Sequence, residues 1–268
     1  MSFIVDALVV KQEQIAPKHF RLQLSAPEIA AVAKPGQFVH VSCCPALDPL
    51  LRRPLSIHMV ERDQGLVTLF YRVAGRGTAL LAKHETGSYI NLIGPLGRGF
   101  TMPPTDRSAV LVAGGMGIAP LLFLAHELAR NSRRADVFLG AATAGQLFFA
   151  EEISQNGHII HTATDDGTAG YHGTVIALLR EYLPTLSPLD LARQMLFACG
   201  PGVMLRLINE IISSARITGE LSLEERMGCG VGACLSCICK TKNSDTEWQY
   251  SRVCIDGPVF PAAEVVWE

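Results

Sequence analysis

The sequence predicts an α/β plus β chain. An antiparallel β-barrel is expected over residues 1–103, a doubly wound parallel α/β domain over 104–218, and a small cysteine-rich module over 219–268. Three observations predict this. The first hundred residues carry short strands with tight turns between them, the pattern of a small closed barrel. From Ser108 onward apolar strands alternate with helical stretches, which implies parallel βαβ units. From Leu221 onward glycine and cysteine dominate. At 268 residues the chain has room for about two domains and a small module.

In the barrel region, His19-Phe20-Arg21-Leu22-Gln23-Leu24 alternates polar and apolar, and Pro35-Gly36 turns the chain into Gln37–Ser42. Further strands are expected at Leu55–Val60, Leu66–Val73 and Tyr89–Ile93. The second region reads as strand Ala109–Val112, helix Ala119–Ala129, then strands Asp136–Leu139 and Ile159–Thr162. Helix Thr174–Glu181, strand Gln194–Ala198 and helix Gly202–Ser214 complete it. His158 and His161 fall on a strand at i, i+3 and are expected at the surface rather than as ligands.

Composition narrows the function. A net charge of −2 and a pI near 6.4 give no electrostatic case for nucleic acid. Met1–Val10 is an apolar run broken by Asp6 with no basic stretch, so it is not a signal peptide. Ser108–Ala125 lacks charge, but Gly114, Gly115, Gly117 and Pro120 interrupt it. That favours a strand, a turn and a helix start, and no membrane segment is expected. Eight cysteines, four of them in a metal-type pattern, fit a reducing, cytoplasmic compartment better than a disulfide scaffold.

Those four carry the most specific signal. Cys229, Cys234, Cys237 and Cys254 follow C-x4-C-x2-C, then sixteen intervening residues, then C. This is the plant-type spacing of a [2Fe–2S] cluster, in which one loop gives three thiolates and a later segment closes the site. Gly228, Gly230 and Gly232 let the backbone turn tightly enough for N–H groups to face sulfur. A zinc site usually shows two C-x2-C pairs, and only one is present. Cys239 is a fifth thiol, to which no ligand role is assigned.

Two elements of the barrel region suit a dinucleotide. Arg53-Pro54-Leu55-Ser56 opens a strand, where a guanidinium can grip a diphosphate and a hydroxyl can bond a flavin edge. Phe70-Tyr71-Arg72-Val73 ends another strand, and Gly75-Arg76-Gly77-Thr78 opens the helix-like Ala79–Lys83, a turn whose N–H groups can face an anion. A plain strand–turn–helix junction with Thr78 as cap is the simpler alternative. In the α/β region, Gly114-Gly115-Met116-Gly117 and Cys199-Gly200-Pro201-Gly202 each follow a strand, where open α/β sheets bind ligands. Cys199 is equally a buried small hydrophobe or a cofactor contact. Asp165-Asp166-Gly167-Thr168 is equally a solvated loop or a nucleotide contact.

In this order, R-P-L-S, Y-R-x-x-G-x-G-T, G-G-x-G-x-A-P and C-G-P-G resemble the ferredoxin–NADP reductase superfamily, which pairs an FAD-binding barrel with a pyridine-nucleotide domain. The C-terminal module, with Asp256-Gly257-Pro258-Val259-Phe260 and Val265-Val266-Trp267, is more closely similar to the electron-transfer subunits of dihydroorotate dehydrogenase B. The resemblance implies FAD contacts at Arg53, Pro54, Leu55, Ser56, Phe70, Tyr71, Arg72, Gly77 and Thr78. It also implies a [2Fe–2S] cluster on Cys229, Cys234, Cys237 and Cys254. Gly114, Gly115, Gly117, Cys199, Gly200 and Pro201 are then expected to meet NAD.

The resemblance further implies a partner: an FMN-containing catalytic subunit that oxidises dihydroorotate, in a two-plus-two heterotetramer, in pyrimidine biosynthesis. Flavin exchanges one electron or two and so belongs between a cluster and a nicotinamide. No catalytic acid–base constellation is evident in the chain, and none is required. Two other readings compete: an NAD(P)H-dependent reductase subunit of a hydrogenase, sulfide dehydrogenase or oxygenase system, and a redox sensor without turnover. The absence of Arg and Lys from Gly140 to Gly157 favours NAD over NADP.

Overall fold

A computed structural model of the chain describes residues 1–44, 48–244 and 247–267. Its first part runs β1 (Phe3–Ala16), β2 (His19–Ser25), α1 (Pro27–Val32), β3 (Phe38–Val41), β4 (Arg53–Glu61), β5 (Leu66–Arg72), α2 (Arg76–Leu81) and β6 (Tyr89–Leu96). The six strands close in the order β1-β2-β5-β4-β3-β6, antiparallel at every pairing. Alternation sends Leu22 and Leu24 of β2, Ile57 of β4 and Leu69 of β5 into a sealed interior. The longest strand, β1, precedes the first strand read from the sequence. Only its Ala7 and Val9 are fully buried, so its hydrophobic alternation is short and fades into Lys11-Gln12-Glu13-Gln14.

The second part runs β7 (Ser108–Gly114), α3 (Ile118–Arg130), β8 (Ala135–Ala141), α4 (Ala150–Gln155), β9 (Ile159–Thr164), β10 (Tyr171–His172), α5 (Val175–Tyr182), α6 (Pro188–Ala192), β11 (Gln194–Cys199), α7 (Gly202–Ala215) and β12 (Thr218–Ser222). A hairpin of β13 (Ile238–Lys242) and β14 (Trp248–Arg252) follows, and then β15 (Val259–Pro261). The large sheet has the order β10-β9-β8-β7-β11-β12-β15, parallel except for β15, which pairs antiparallel with β12. The doubly wound α/β sheet and the barrel are therefore both as expected. Elements from beyond residue 218 complete the sheet, since β12 begins at Thr218 and β15 closes its edge.

Helix α3 joins the two halves. Its Phe123 packs into the barrel core, and the ring of His58 in β4 lies 3.2 Å (Nδ1) from the carbonyl oxygen of Ala119. Arg62 pairs with Glu127 at 2.7 Å across the same seam. His158 corrects the sequence reading. It lies just before β9, is 5% exposed, and bridges the Ala125 carbonyl (2.9 Å) and the Ala135 amide (3.1 Å). The ring satisfies two buried backbone groups at the ends of neighbouring elements, which sequence periodicity cannot reveal. Among the described residues no helix is long and apolar enough to cross a membrane.

Candidate functional site

A cleft of about 830 Å³, open to solvent, separates barrel from α/β domain. Ser56, Phe70 and Arg72 line it from the barrel, Met116 and Cys199 from the sheet, and Met227 from the start of the cysteine loop. Pro54, Leu55 and Tyr71 also reach its wall. Tyr71 is almost wholly buried in the barrel core, with its hydroxyl donated to Gln12 Oε1 at 3.2 Å. Burial pushes that phenol up, so it stays neutral.

Arg53, Gly77 and Thr78 come together beside the cleft. A Cβ on Gly77 would lie 2.8 Å from Arg53 Nε and 3.0 Å from Cζ. The guanidinium thus occupies the space that any other side chain at 77 would take. Helix α2 begins at Arg76, earlier than the expected Ala79, so the predicted turn is its first turn. Thr78 Oγ1 accepts from the amides of Ala74 (2.9 Å) and Gly75 (3.2 Å), and it donates to the Gly75 carbonyl. Thr78 is consumed in shaping this turn.

Across the cleft, the order in which strands are added reverses between the parallel neighbours β7 and β11, and both glycine turns leave from that point. Gly114 ends β7, and Gly115–Gly117 forms the turn into α3. A Cβ on Gly117 would fall 2.0 Å from the Cys199 carbonyl oxygen, so the two turns are in backbone contact. Such a switch point is where open α/β sheets take nucleotides. Cys199 faces the cleft beside Ser222, its register neighbour on β12, and burial raises its thiol so that it remains protonated. Gly200 and Pro201 border a second cleft, shared with Cys239 and Trp267.

The outer end of this face is acidic. The Ala144 amide donates to Thr168 Oγ1 at 2.9 Å, and Thr168 donates its hydroxyl to Asp166 at 2.6 Å. The Thr168 hydroxyl, and with it the Thr168 amide, holds the Asp166 carboxyl below the usual carboxylate range. The Asp165-Asp166 turn is therefore fastened to the turn after β8.

In the cysteine loop, backbone amides converge on sulfur. Cys229 Sγ receives Val231 N at 3.4 Å, Ala233 N at 3.2 Å and Cys234 N at 3.4 Å, and Cys234 Sγ receives Cys229 N at 3.4 Å. Ser236 Oγ lies 3.2 Å from Cys234 Sγ. Chiefly through Ser236, the Cys234 thiol is pulled down to about 6, so it is largely thiolate at neutral pH. Cys237 and Cys254 are buried below the loop, and Val253 N donates to the Cys237 carbonyl at 2.8 Å. Burial raises Cys254, with Cys237 beside it. Among the described residues no three His, Cys, Asp or Glu side chains converge as ligands of one metal ion do. A nest of amides aimed at thiolates is instead what anionic cluster ligands need. Cys239 points to the second cleft, and burial pushes it up to about 11.

Sequence reasoning missed two neighbours of this loop. His40 of β3 lies beneath it, so that a Cβ on Gly230 would sit 2.6 Å from His40 Nδ1. Arg252 is held by Asp256 at 3.0 Å and lies near Gly232. No local motif marks either.

A family model of the iron–sulfur cluster binding domain of dihydroorotate dehydrogenase B matches residues 224–266, and an oxidoreductase NAD-binding domain model matches residues 111–210. The chain is 44% identical over 268 residues to the dihydroorotate dehydrogenase B (NAD(+)), electron transfer subunit, of Desulforamulus reducens, with 100% of both chains covered. It is 43% identical to the subunit of the same name from Geobacillus kaustophilus, covering 96% of each. Among solved structures it is similar to an NADH-dependent reduced ferredoxin–NADP oxidoreductase, with TM-score 0.84 and 26% identity over 98% of this chain and 90% of that one.

Proposed function

Because the chain belongs to the family of dihydroorotate dehydrogenase B (NAD+) electron transfer subunits, we propose that it delivers electrons drawn from dihydroorotate by a partner subunit to NAD+. When bound, the [2Fe–2S] centre supplies single-electron relay, FAD the exchange between single electrons and a hydride, and NAD+ the hydride acceptor. Arg53 and the backbone of the first turn of α2 are suited to the FAD diphosphate, and Ser56, Phe70 and Arg72 to the ring system. The touching turns at Gly114–Gly117 and Cys199–Pro201 are suited to the nucleotide. Cys229, Cys234, Cys237 and Cys254 would carry the cluster.

One observation carries this reading. Met227 lines the cleft, and only Gly228 separates it from Cys229. A cofactor in the cleft and a cluster on the loop would therefore share a wall, as single-electron exchange requires. In this reading the residues of this chain bind and orient its cofactors, and taking a proton from dihydroorotate falls to the partner. The partner would hold FMN and the dihydroorotate site, in a two-plus-two assembly within the cytoplasm.

The test is anaerobic. The purified chain should reduce ferricyanide with NADH, yet mixing it with dihydroorotate should leave flavin and cluster absorbance unchanged until an FMN-bearing partner is added. Bleaching by dihydroorotate alone would place the substrate site on this chain and end the proposed division of labour.

A further inference from the structure

We propose that His40 is a positioning residue for the iron–sulfur site: it donates a ring N–H to the Cys229 arm of the cluster loop and so couples the barrel to the cluster. The inference rests on the cluster reading given above. His40 is 1% exposed, and neither ring nitrogen has a hydrogen-bond partner of ordinary geometry among the described residues. A buried polar group left so is costly and normally has a purpose. Its Nδ1 lies against the Cys229–Gly230 stretch of the loop: a Cβ at 230 would stand 2.6 Å from it. Gly230 has φ +70°, so glycine at this point answers both the backbone and the imidazole.

The scaffold behind His40 is rigid. Its carbonyl accepts from Arg52 Nη1 at 3.3 Å, and the same nitrogen donates to the Asn91 carbonyl at 3.0 Å, which ties β3 to β6. On its two sides His40 pairs with Pro54 of β4 and Ile93 of β6. Phe38, two residues earlier on β3, lines the cleft. One short strand thus touches both the cleft and the cluster loop, and groups beyond the first ligands commonly orient a metal site in this way.

The experiment uses the full chain, purified anaerobically, as wild type, His40→Phe and His40→Gln. Phe keeps the ring volume and loses the donor; Gln keeps an N–H donor. Bound FAD per chain reports that the barrel is folded. His40→Phe should release iron to a chelator about tenfold faster than wild type. It should also alter the EPR signal of the reduced cluster and lower its midpoint potential, where a tenfold change in the equilibrium is about 59 mV. His40→Gln should lie closer to wild type on all three. If Phe unseats the flavin, His40→Leu against His40→Gln makes the same comparison. A His40→Phe chain that retains FAD and matches wild type overturns the proposal, as does a Gln variant that fails as fully as Phe. Wild-type chain without iron would instead remove the cluster reading, and this inference with it.

Discussion

Gly77→Ala should separate flavin binding from stability. The new Cβ would sit 2.8 Å from Arg53 Nε, 3.0 Å from Cζ and 3.1 Å from Nη2. Comfortable contacts begin near ~3.5 Å, so the guanidinium must withdraw by roughly half an ångström or more. Gly77 is not in the left-handed region and lies inside α2, so alanine suits the backbone there. Helix propensity alone would stabilise the fold by up to about 1 kcal/mol. Each charge-assisted hydrogen bond from Arg53 to a diphosphate is worth about 1.5–3 kcal/mol, or roughly 10- to 150-fold in affinity. Arg53→Ala should lose all of this, and Gly77→Ala at least one such bond, about tenfold. In the double variant the losses should not add, because the methyl group then has no guanidinium to displace. Fluorescence titration of apoprotein with FAD gives the affinities, and thermal melts of the apoprotein give stability. Unchanged FAD affinity in Gly77→Ala, or fully additive losses, would refute the assignment of Arg53 to the diphosphate.

Two further outcomes follow from the sites. Serine at Cys229, Cys234, Cys237 or Cys254 should each lower iron content, while Cys239→Ser should keep two irons per [2Fe–2S] chain; iron analysis showing the reverse for Cys239 and Cys254 would overturn the ligand set. Asp166 carries its charge beside the turn after β8 and should repel a 2′-phosphate, so NADH should serve diaphorase turnover better than NADPH, and Asp166→Asn should narrow the gap. Equal use of both nucleotides by wild type would dismiss that role.

Local chemistry was legible in the sequence, and long-range pairing was not. The cysteine spacing and the glycine turns lie within short windows, so each could be read from its neighbours. The α/β elements were legible because periodicity is also local: the expected helix Ala119–Ala129 is α3, Ile118–Arg130. His40 was invisible because its neighbour Gly230 lies in a different part of the chain, and a histidine in a strand carries no sign of what covers it. His158 failed for the same reason, since the backbone groups it satisfies belong to α3 and β8. The segment from Ser222 to Met227 held no motif, yet it forms a wall of the cleft.

The return of the chain to the sheet explains how the cluster loop is held. β12 ends at Ser222, and Cys229 follows on the strand's exit; Cys254 precedes β15, which begins at Val259. Ser222 pairs with Val259 and Leu221 with Phe260, so both arms of the proposed ligand set hang from one antiparallel pair. Phe260 is buried with Leu221 and Cys254 in a single core. From the other side, Arg98 at the barrel exit donates its amide to the Gly257 carbonyl at 2.5 Å, and His40 meets Gly230. The loop is therefore fixed to the nucleotide sheet through β12 and β15, and to the barrel through Arg98 and His40. Fixing it to both domains sets the distance between cluster and cleft, and that distance governs transfer of single electrons. A cavity at Phe260 should accordingly loosen the cluster, read as faster iron release to a chelator, while leaving FAD affinity unchanged, because among the described residues this core includes none of the turn at Gly75–Thr78.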